Sequence, residues 1–310
     1  MKYFIIDSLN LAHRAHNVNY ELRTANEMPT GMFFGYLRMI QALKKKYRGY
    51  KFIVVWDNKA KHKFELQPDY KAGRTSLPAS VMSQIPDIKS YLKNCGVDQY
   101  EKEGQEADDV IASLVEQFKE EGAETIIVYS NDKDFLQLVE TGKVIVYKPK
   151  TASSPEKFYD IDAVKEKFGV EPDKLSYFRS FDGDSSDHIT GVPRVPRKII
   201  ASMVNKYGDP ESIYRSIDEM NLTEFQKNSF VKGKERVFNN LKIITLEKNL
   251  DNISKEESKF DKEELIKLLN KYEVKSIKPE LMIDLFASSL NIKYTDPKPS
   301  YKLETFSLFG

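Results

Sequence analysis

Short apolar runs alternate with longer amphipathic stretches through the first half of the chain. The runs are rich in Val, Ile and aromatic residues and end at charged or turn residues, which is the pattern of strands buried within a parallel sheet. They predict strands at Tyr3–Ile6, Phe52–Trp56, Val97–Tyr100, Thr125–Tyr129 and Val144–Tyr147, of which the third has the weakest signal.

The stretches between these runs have the three-to-four-residue period of helices. From Gln105 to Lys119 the apolar residues fall on one helical face, and Gly122 follows where a helix is expected to stop. A second helix is predicted from about Thr30 to Tyr47. Alternating strands and helices predict an α/β fold, with a mostly parallel sheet covered by helices on both faces.

The strand pattern stops near Ile161, and helical patterns with turn residues follow. This change predicts a domain boundary near residues 180–190. We therefore expect an α/β domain over residues 1–182, a helical region over 183–250 and a C-terminal helical segment over 251–295. The two prolines near residue 297 predict a flexible linker to a tail that ends at residue 310.

The composition is that of an ordinary globular protein. The 310 residues include 48 Lys and Arg against 47 Asp and Glu, so no overall charge indicates a partner. Cys95 is the single cysteine, which excludes a disulfide framework and a Cys-rich zinc site and favours a reducing, cytoplasmic location. The N-terminus does not resemble a signal peptide and no apolar run could span a membrane, so we expect no membrane partner.

Basic residues are concentrated locally. Between Arg38 and Arg74 there are eleven Lys and Arg against three acids, with aromatic residues interleaved. Such a segment suits a phosphate backbone and stacked bases, although a basic run alone is more often solvated surface.

Acidic residues recur directly after the predicted strands and at the start of the helix near residue 106. In an open parallel sheet, ligands bind outside the carboxyl ends of the strands, so acids at several such ends would converge on one cleft. The candidate residues are Asp7, Asp57, Glu106, Asp108, Asp109, Asp132, Asp134, Asp184 and Asp187.

Each of these acids could by itself cap a helix or begin a turn. Together they would repel one another unless cations neutralised them. Oxygen ligands without nearby His or Cys favour Mg²⁺, with Mn²⁺ as a substitute, and a pair of such ions is the usual apparatus for phosphodiester hydrolysis. A calcium-binding EF-hand at the loop after Asp182 is excluded, because Asp187 and Pro193 stand where that loop needs Gly and Glu.

Seven motifs occur in one order, and with them the chain resembles the 5′-nuclease (flap endonuclease) superfamily over about residues 3–250. It is similar to the 5′→3′ exonuclease domain of bacterial DNA polymerase I and to stand-alone bacteriophage 5′-nucleases. The motifs lie at residues 6–11, 30–31, 54–57, 70–74, 106–111, 131–134 and 183–193, and include Glu106-Ala107-Asp108-Asp109 and Gly183-Asp184-Ser185-Ser186-Asp187.

The resemblance implies a PIN-like (resolvase-like) α/β domain, a helical arch over about residues 59–86 and two Mg²⁺ ions. It implies that one ion is held by Asp7, Asp57, Glu106, Asp108 and Asp132, and the second by Asp109, Asp134, Asp184 and Asp187. It also implies catalytic roles for Lys71, Arg74 and Asp132, base stacking for Tyr70 and a place beside the cleft for Arg14.

After the acids, the resemblance implies a helix-three-turn-helix region that grips duplex phosphates. The candidate DNA-binding residues here are Gly191, Lys198 and two arginines, Arg194 and Arg197, whose side chains would replace a lost backbone contact. The family binds K⁺ with loop carbonyls here, but Arg194 and Pro196 stand where it usually has glycine. Because proline has no amide to donate, K⁺ binding and the strength of duplex binding stay open.

The tail ends in an aromatic–Leu–Phe segment that resembles the sliding-clamp binding peptides of replication proteins. Its candidate partner-binding residues are Phe306, Leu308 and Phe309. The alternative is a frayed terminus, or a tail that packs on its own domain.

The resemblance implies a Mg²⁺-dependent, structure-specific 5′-nuclease with 5′→3′ exonuclease, flap endonuclease and RNase H activity. We expect a monomeric replication enzyme that acts on DNA and RNA–DNA duplexes with 5′ flaps or ends. A bacteriophage source is expected, with a bacterial source as the alternative. One alternative is a catalytically inactive scaffold that binds branched DNA, but such a homologue would be expected to lose some of the acids. Another is a PIN-type ribonuclease toxin, which would lack the arch and the helical region.

Overall fold

The computed structural model describes residues 1–58, 61–67, 71 and 77–288. Its first part alternates strands and helices. In chain order these are β1 (Lys2–Asp7), α1 (Ser8–Asn19), α2 (Gly31–Lys46), β2 (Lys51–Val55), α3 (Lys61–Leu66), α4 (Ala79–Met82), α5 (Ile85–Asn94), β3 (Asp98–Glu101), α6 (Ala107–Glu120), β4 (Thr125–Tyr129), β5 (Val144–Lys148), β6 (Lys157–Tyr159) and α7 (Ile161–Phe168).

The second part is mostly helical. Its elements are α8 (Leu175–Asp182), β7 (Gly183–Asp184), β8 (Ile189–Thr190), α9 (Arg197–Tyr207), α10 (Pro210–Arg215), α11 (Glu224–Ile244), β9 (Ser254–Glu256), α12 (Lys262–Lys271) and α13 (Pro279–Ala287). Short 3₁₀ turns cover Asp134–Leu138 and Ser185–Asp187.

Within the described ranges, seven strands form one sheet in the order β6-β5-β4-β1-β2-β3-β9. The strands from β5 to β3 in this order are parallel, and β1 lies at the centre between β2 and β4. This arrangement confirms the predicted fold class, and each predicted strand is present to within one residue at either end.

The alternation of side chains along β1 explains the two layers of helices. Ile5 belongs to the core on the face covered by α6, whereas Phe4 and Ile6 belong to the core covered by α1 and α2. All three side chains are fully buried. Because each buried side chain of this size contributes about 1.5–3 kcal/mol, the register of the central strand is strongly determined.

One edge of the sheet differs from the sequence-based expectation that strands stop near Ile161, and the other edge carries a short strand that the sequence did not predict. Both edge strands, β6 and β9, are antiparallel, and β9 returns to the sheet after residue 250. All three residues of β9 are exposed. An exposed strand needs no apolar run, so the sequence pattern does not reveal it. Its place in the sheet is set by its hydrogen bonds to β3.

The helical region joins the α/β domain through α8, which contacts the 3₁₀ turn at Asp134–Leu138. Its centre is formed by α8 against α11, where the rings of Phe181 and Phe230 lie 5.6 Å apart. The β7–β8 hairpin sits at the end of α8 and carries the acids at 184 and 187. These contacts fix the hairpin relative to the sheet.

The last described segment runs back onto the α/β domain. Tyr272 stacks on Phe33 with ring centroids 4.1 Å apart, and Phe286 contacts Phe52. Residues 262–287 thus complete the core that covers one face of the sheet. Of the helices described, none is long and apolar enough to cross a membrane.

Candidate metal and nucleic-acid site

The central strand ends in an acid that two hydrogen bonds hold in place. Asp7 closes β1 and caps α1, and its Oδ1 accepts from the Asn10 amide at 3.1 Å. Its Oδ2 accepts from the Ser130 hydroxyl at 2.8 Å. Burial, together with the charges of Asp132 and Asp57, raises the pKa of Asp7 to about 6 despite these bonds. The side chain is therefore rigid and costly to ionise without a cation.

The neighbouring strand ends bring further acids to the same edge. Asp57 follows β2, and its Oδ1 accepts from the Ala107 amide at 2.9 Å, which joins this strand to the start of α6. Asp132 follows β4, and its Oδ1 accepts from the Asp134 amide at 2.9 Å. The parallel order of the strands is the reason that acids so distant in sequence converge.

Two lysines hold Glu106, the residue that precedes α6. Its Oε1 lies 2.7 Å from Lys71 Nζ and its Oε2 lies 3.1 Å from Lys63 Nζ. Burial opposes ionisation of Glu106, but these two cations outweigh it and lower the pKa of the carboxyl. Glu106 is therefore a preformed anion between the sheet edge and the segment around residues 61–71.

Asp108 has the opposite electrostatic environment. Burial and the negative charge of Asp132 raise its pKa well above the ordinary value, with further contributions from Asp7 and Glu106. Lys71 Nζ lies 4.0 Å from its Oδ2. Repulsion among these carboxylates is the pattern expected where divalent cations complete a site.

Three acids come close enough to share one ion. Asp132, Asp134 and Asp187 each place a carboxylate oxygen within 4.8 Å of the others. They come from the loop after β4, the turn that follows it and the β7–β8 hairpin, so the helical region completes a group begun by the sheet. An all-oxygen donor set of this kind fits Mg²⁺ or Mn²⁺.

Arg179 pairs with two of the acids, and the sequence did not identify it as a site residue. Its buried guanidinium forms ion pairs with Asp134 through Nη1 and with Asp184 through Nη2. Burial opposes ionisation of Asp184, but hydrogen bonds from Ser186 and the charge of Arg179 lower its pKa. The sequence did offer one signal. Arg179 follows Leu175 by four residues, which places it on the buried face of the amphipathic helix α8.

Asp109 stands apart from the Asp132 group. Its Oδ1 accepts from the Glu247 amide at 2.9 Å, and its Oδ2 lies 2.9 Å from Lys63 Nζ. Lys63, also missed from the sequence, was counted only as part of a basic run. Burial of this ammonium is outweighed by Asp109, Glu106 and Asp108, which raise its pKa.

The segment predicted as an arch is described only in part. Lys71 adopts a left-handed conformation with φ of 57°, and its amide donates to the Asp187 carbonyl at 3.3 Å. This bond ties Lys71 to the hairpin as well as to Glu106. Tyr70 and Arg74, and likewise Phe306, Leu308 and Phe309 of the tail, lie outside the described residues.

The predicted duplex-binding residues lie at and after the β7–β8 hairpin. A Cβ on Gly191 would overlap the carbonyl of Phe181, so close packing of the hairpin on α8 requires glycine here. Arg194 lies over the Phe225 ring with φ of 59°, and Arg197 pairs with Asp182 at 3.1 Å. Lys198 is exposed in the first turn of α9.

A cavity of about 640 Å³ connects this region with the acids. Its lining includes Lys133, Arg179 and Arg197 together with Asp182 and Asp184. Arg14, on α1, donates to the Lys150 carbonyl instead of entering this cavity. The cavity therefore offers cations directly beside the acid cluster, as a phosphate-binding cleft requires.

Comparison with known proteins agrees with this geometry. The family model described as 5′-3′ exonuclease, N-terminal resolvase-like domain, matches residues 2–169. A 5′-3′ exonuclease of Aquifex aeolicus is 35% identical over 283 residues, which cover 90% of this chain and 94% of that protein. DNA polymerase I of Caldicellulosiruptor bescii is 31% identical over 284 residues, which cover 89% of this chain and 33% of that protein.

Solved structures share the fold at low sequence identity. The T5 D15 protein co-crystallised with metal ions aligns with a TM-score of 0.64 and 17% identity, covering 94% of this chain and 99% of that one. Flap endonuclease-1 from Methanococcus jannaschii aligns with a TM-score of 0.57 and 16% identity, covering 94% of this chain and 93% of that one. From the family match and the Aquifex relative, this chain belongs to the 5′-3′ exonuclease family of nucleases.

Proposed function

We propose that the protein is a Mg²⁺-dependent, structure-specific 5′-nuclease that cleaves DNA and RNA–DNA duplexes near the junction of a 5′ flap or end. The observation that carries this proposal is the convergence of Asp132, Asp134 and Asp187 beside the buried Asp7 and the half-buried Asp108. The 5′-3′ exonuclease name of the Aquifex relative supports the polarity, and the flap endonuclease name of a structural neighbour supports the flap substrate. Primer removal during DNA replication, including RNase H activity, is the proposed use.

The donor set fits two hard divalent cations, with Mn²⁺ able to replace Mg²⁺. We assign one ion to Asp7, Asp57, Glu106, Asp108 and Asp132, and the second to Asp134, Asp184 and Asp187. Asp132 would lie between the two ions, because its carboxylate is also close to those of Asp134 and Asp187. We assign Asp109 a supporting role, because its oxygens contact Lys63 and the Glu247 amide. Bound cations would activate a water molecule and neutralise the charge that develops on the phosphate.

Around these ions, the chain's own residues would position the substrate. Lys71, now paired with Glu106, is placed to move its ammonium to the scissile phosphate and stabilise the transition state, with Arg74 and Tyr70 in the same segment. Hydrolysis would leave a 5′-phosphate and a 3′-hydroxyl.

The duplex would lie against the start of α9. The backbone around Gly191 and the side chains of Arg194, Arg197 and Lys198 would contact its phosphates, with K⁺ optional because two arginines supply positive charge. The neighbouring 640 Å³ cavity would hold the strand that enters the acid cluster. We propose a monomer whose C-terminal residues 306–309 dock on a sliding clamp.

A flap substrate labelled at its 5′ end tests the proposal. Mg²⁺-dependent release of a short labelled fragment, abolished by EDTA, is the expected result. Binding without cleavage in both Mg²⁺ and Mn²⁺ would contradict it and favour the inactive scaffold. Comparing flap, nicked and RNA-primed substrates would rank the activities.

A further inference from the structure

A second groove lies where α3, the β7–β8 hairpin and α11 meet. It has a volume of about 380 Å³. Leu66 and Gln67 at the end of α3 line it, together with Thr190 of β8 and residues of α11. The α11 residues that line it are Lys232, Glu235, Arg236, Asn239 and Asn240. None of these residues has a role in the acid cluster.

This groove is directly connected to the metal-binding edge. Gln67 Nε2 donates to the His188 carbonyl at 2.8 Å, one residue after the Asp187 carboxylate. Three residues of chain span at most about 10 Å, so Thr190 in the groove lies within that distance of Asp187. A strand held by the acids could therefore continue into the groove.

Two cations point to an anionic ligand. Lys232 and Arg236 are one helical turn apart and both are exposed. In the part of the chain that the structure describes, neither side chain makes a hydrogen bond or an ion pair, whereas Lys234 on another face of α11 lies over the Tyr214 ring. Among the described residues that line the groove, Glu235 is the single acid, so these residues carry a net positive charge.

The remaining lining suits a nucleotide. The amides of Gln67 and Asn239 can bond sugar or base edges, and the Leu66 side chain offers an apolar surface that is 39% exposed. A positive groove that also has apolar and amide contacts is how proteins bind single strands without sequence preference. At the size of a small-molecule pocket, the groove admits a nucleotide or two of a single strand and excludes a duplex.

The hairpin separates this groove from the larger cavity, and Thr190 lines both. A substrate with a single-strand-to-duplex junction needs two paths that diverge from the acids. On the α9 side lie the residues proposed for the duplex. We propose that the groove between α3 and α11 binds the single-stranded 5′ part of the substrate, with Lys232 and Arg236 on its phosphates. This inference rests on the proposed nuclease function.

Binding assays in EDTA test the groove separately from cleavage. The probes are a labelled duplex with a single-stranded 5′ arm and the same duplex without the arm. For the double variant Lys232→Ala/Arg236→Ala we expect about tenfold weaker binding of the armed duplex and unchanged binding of the other. The slope of log affinity against log salt should fall by about 0.7 for each lost phosphate contact.

Two single substitutions on α11 complete the test. Glu235→Gln removes the one acid of the groove and should tighten binding of the armed duplex. Lys234→Ala removes a cation from another face and should change neither probe. Thermal unfolding checks that each variant folds.

Equal binding of the armed duplex by the double variant and the parent overturns the inference, as does an equal loss for both probes, which would indicate a duplex contact. Weaker binding by Glu235→Gln also contradicts it. Failure of the parent protein to cleave a flap in Mg²⁺ would instead refute the proposed function.

Discussion

The ammonium of Lys63 lies 2.9 Å from Oδ2 of Asp109, and both side chains are almost completely buried. The same ammonium lies 3.1 Å from Glu106, whose other oxygen contacts Lys71. The helix at the base of the predicted arch is thus joined to the start of α6 by charge. A buried charge that loses its partner costs far more than a surface one, so this junction is a sensitive point of the structure.

Replacing Lys63 by Met should therefore destabilise the protein. Glu106 and Asp109 would keep their burial and lose their shared cation, at a cost of about 3–5 kcal/mol in the free energy of unfolding. Urea denaturation in EDTA measures this cost. Lys63→Arg, which keeps the charge, should recover most of it. Equal stability of the Met variant and the parent would refute the buried pairing.

Arg179 provides a matched test on the other side of the cluster. Arg179→Met leaves Asp134 and Asp184 without their buried cation, so we expect a loss of about 3–5 kcal/mol in EDTA. Because Mg²⁺ would then replace the missing charge, the increase in melting temperature on adding Mg²⁺ should be larger than in the parent.

Lys133→Ala is the control for this experiment. Lys133 lies 3.4 Å from the same Asp184 but is substantially exposed, so its loss should cost less than about 1 kcal/mol. Similar losses for both variants would mean that burial does not set the strength of these pairs.

The sequence predicted the sheet and its acids for one physical reason. Strands such as Thr125–Tyr129 are buried on both faces, so their apolar runs are visible, and a parallel order places every following acid at one edge. Side chains that depend on distant partners were not predictable in this way. Lys63 pairs with acids more than forty residues away, Arg179 joins the distant Asp134 to the nearby Asp184, and β9 is defined by its pairing with β3.

Mg²⁺ binding should depend on pH through Asp7 and Asp108. Burial raises both pKa values, that of Asp7 to about 6, so in EDTA the folded protein holds protons that the unfolded chain releases near pH 4. The contribution of Asp7 to stability therefore falls as pH rises from about 4 to 6. Because the cation must displace these protons, its apparent affinity should increase from about pH 5 to pH 7.

Calorimetric titration of Mg²⁺ between about pH 5 and pH 7 measures the apparent affinity and the number of protons released on binding. Proton release on binding, obtained from buffers of different ionisation enthalpy, should be largest below about pH 6. An affinity that is constant with pH, without proton release, would exclude these two carboxyls from the metal site.

Asp132→Asn separates catalysis from stability. Asp132 raises the pKa of both Asp7 and Asp108 by its charge, so removing that charge should leave the stability in EDTA unchanged or higher. Turnover of a flap substrate should fall at least about a hundredfold, because Asp132 belongs to the three-acid group. Single-turnover cleavage rates measure the effect on catalysis, and melting temperatures in EDTA measure the effect on stability. Retained activity would contradict the two-metal assignment, and a large loss of stability would contradict the repulsion.

Gly191→Ala tests whether this glycine serves packing or DNA binding. A Cβ at residue 191 would overlap the Phe181 carbonyl and the backbone of Asp182, so the hairpin must move away from α8, at a cost of about 1–3 kcal/mol. Gly49→Ala is the control, because no atom lies within 4 Å of its added Cβ. Denaturation curves and duplex binding are measured for both. A Gly191 variant as stable as the parent that nevertheless loses duplex binding would show that the glycine serves the phosphate and not the hairpin.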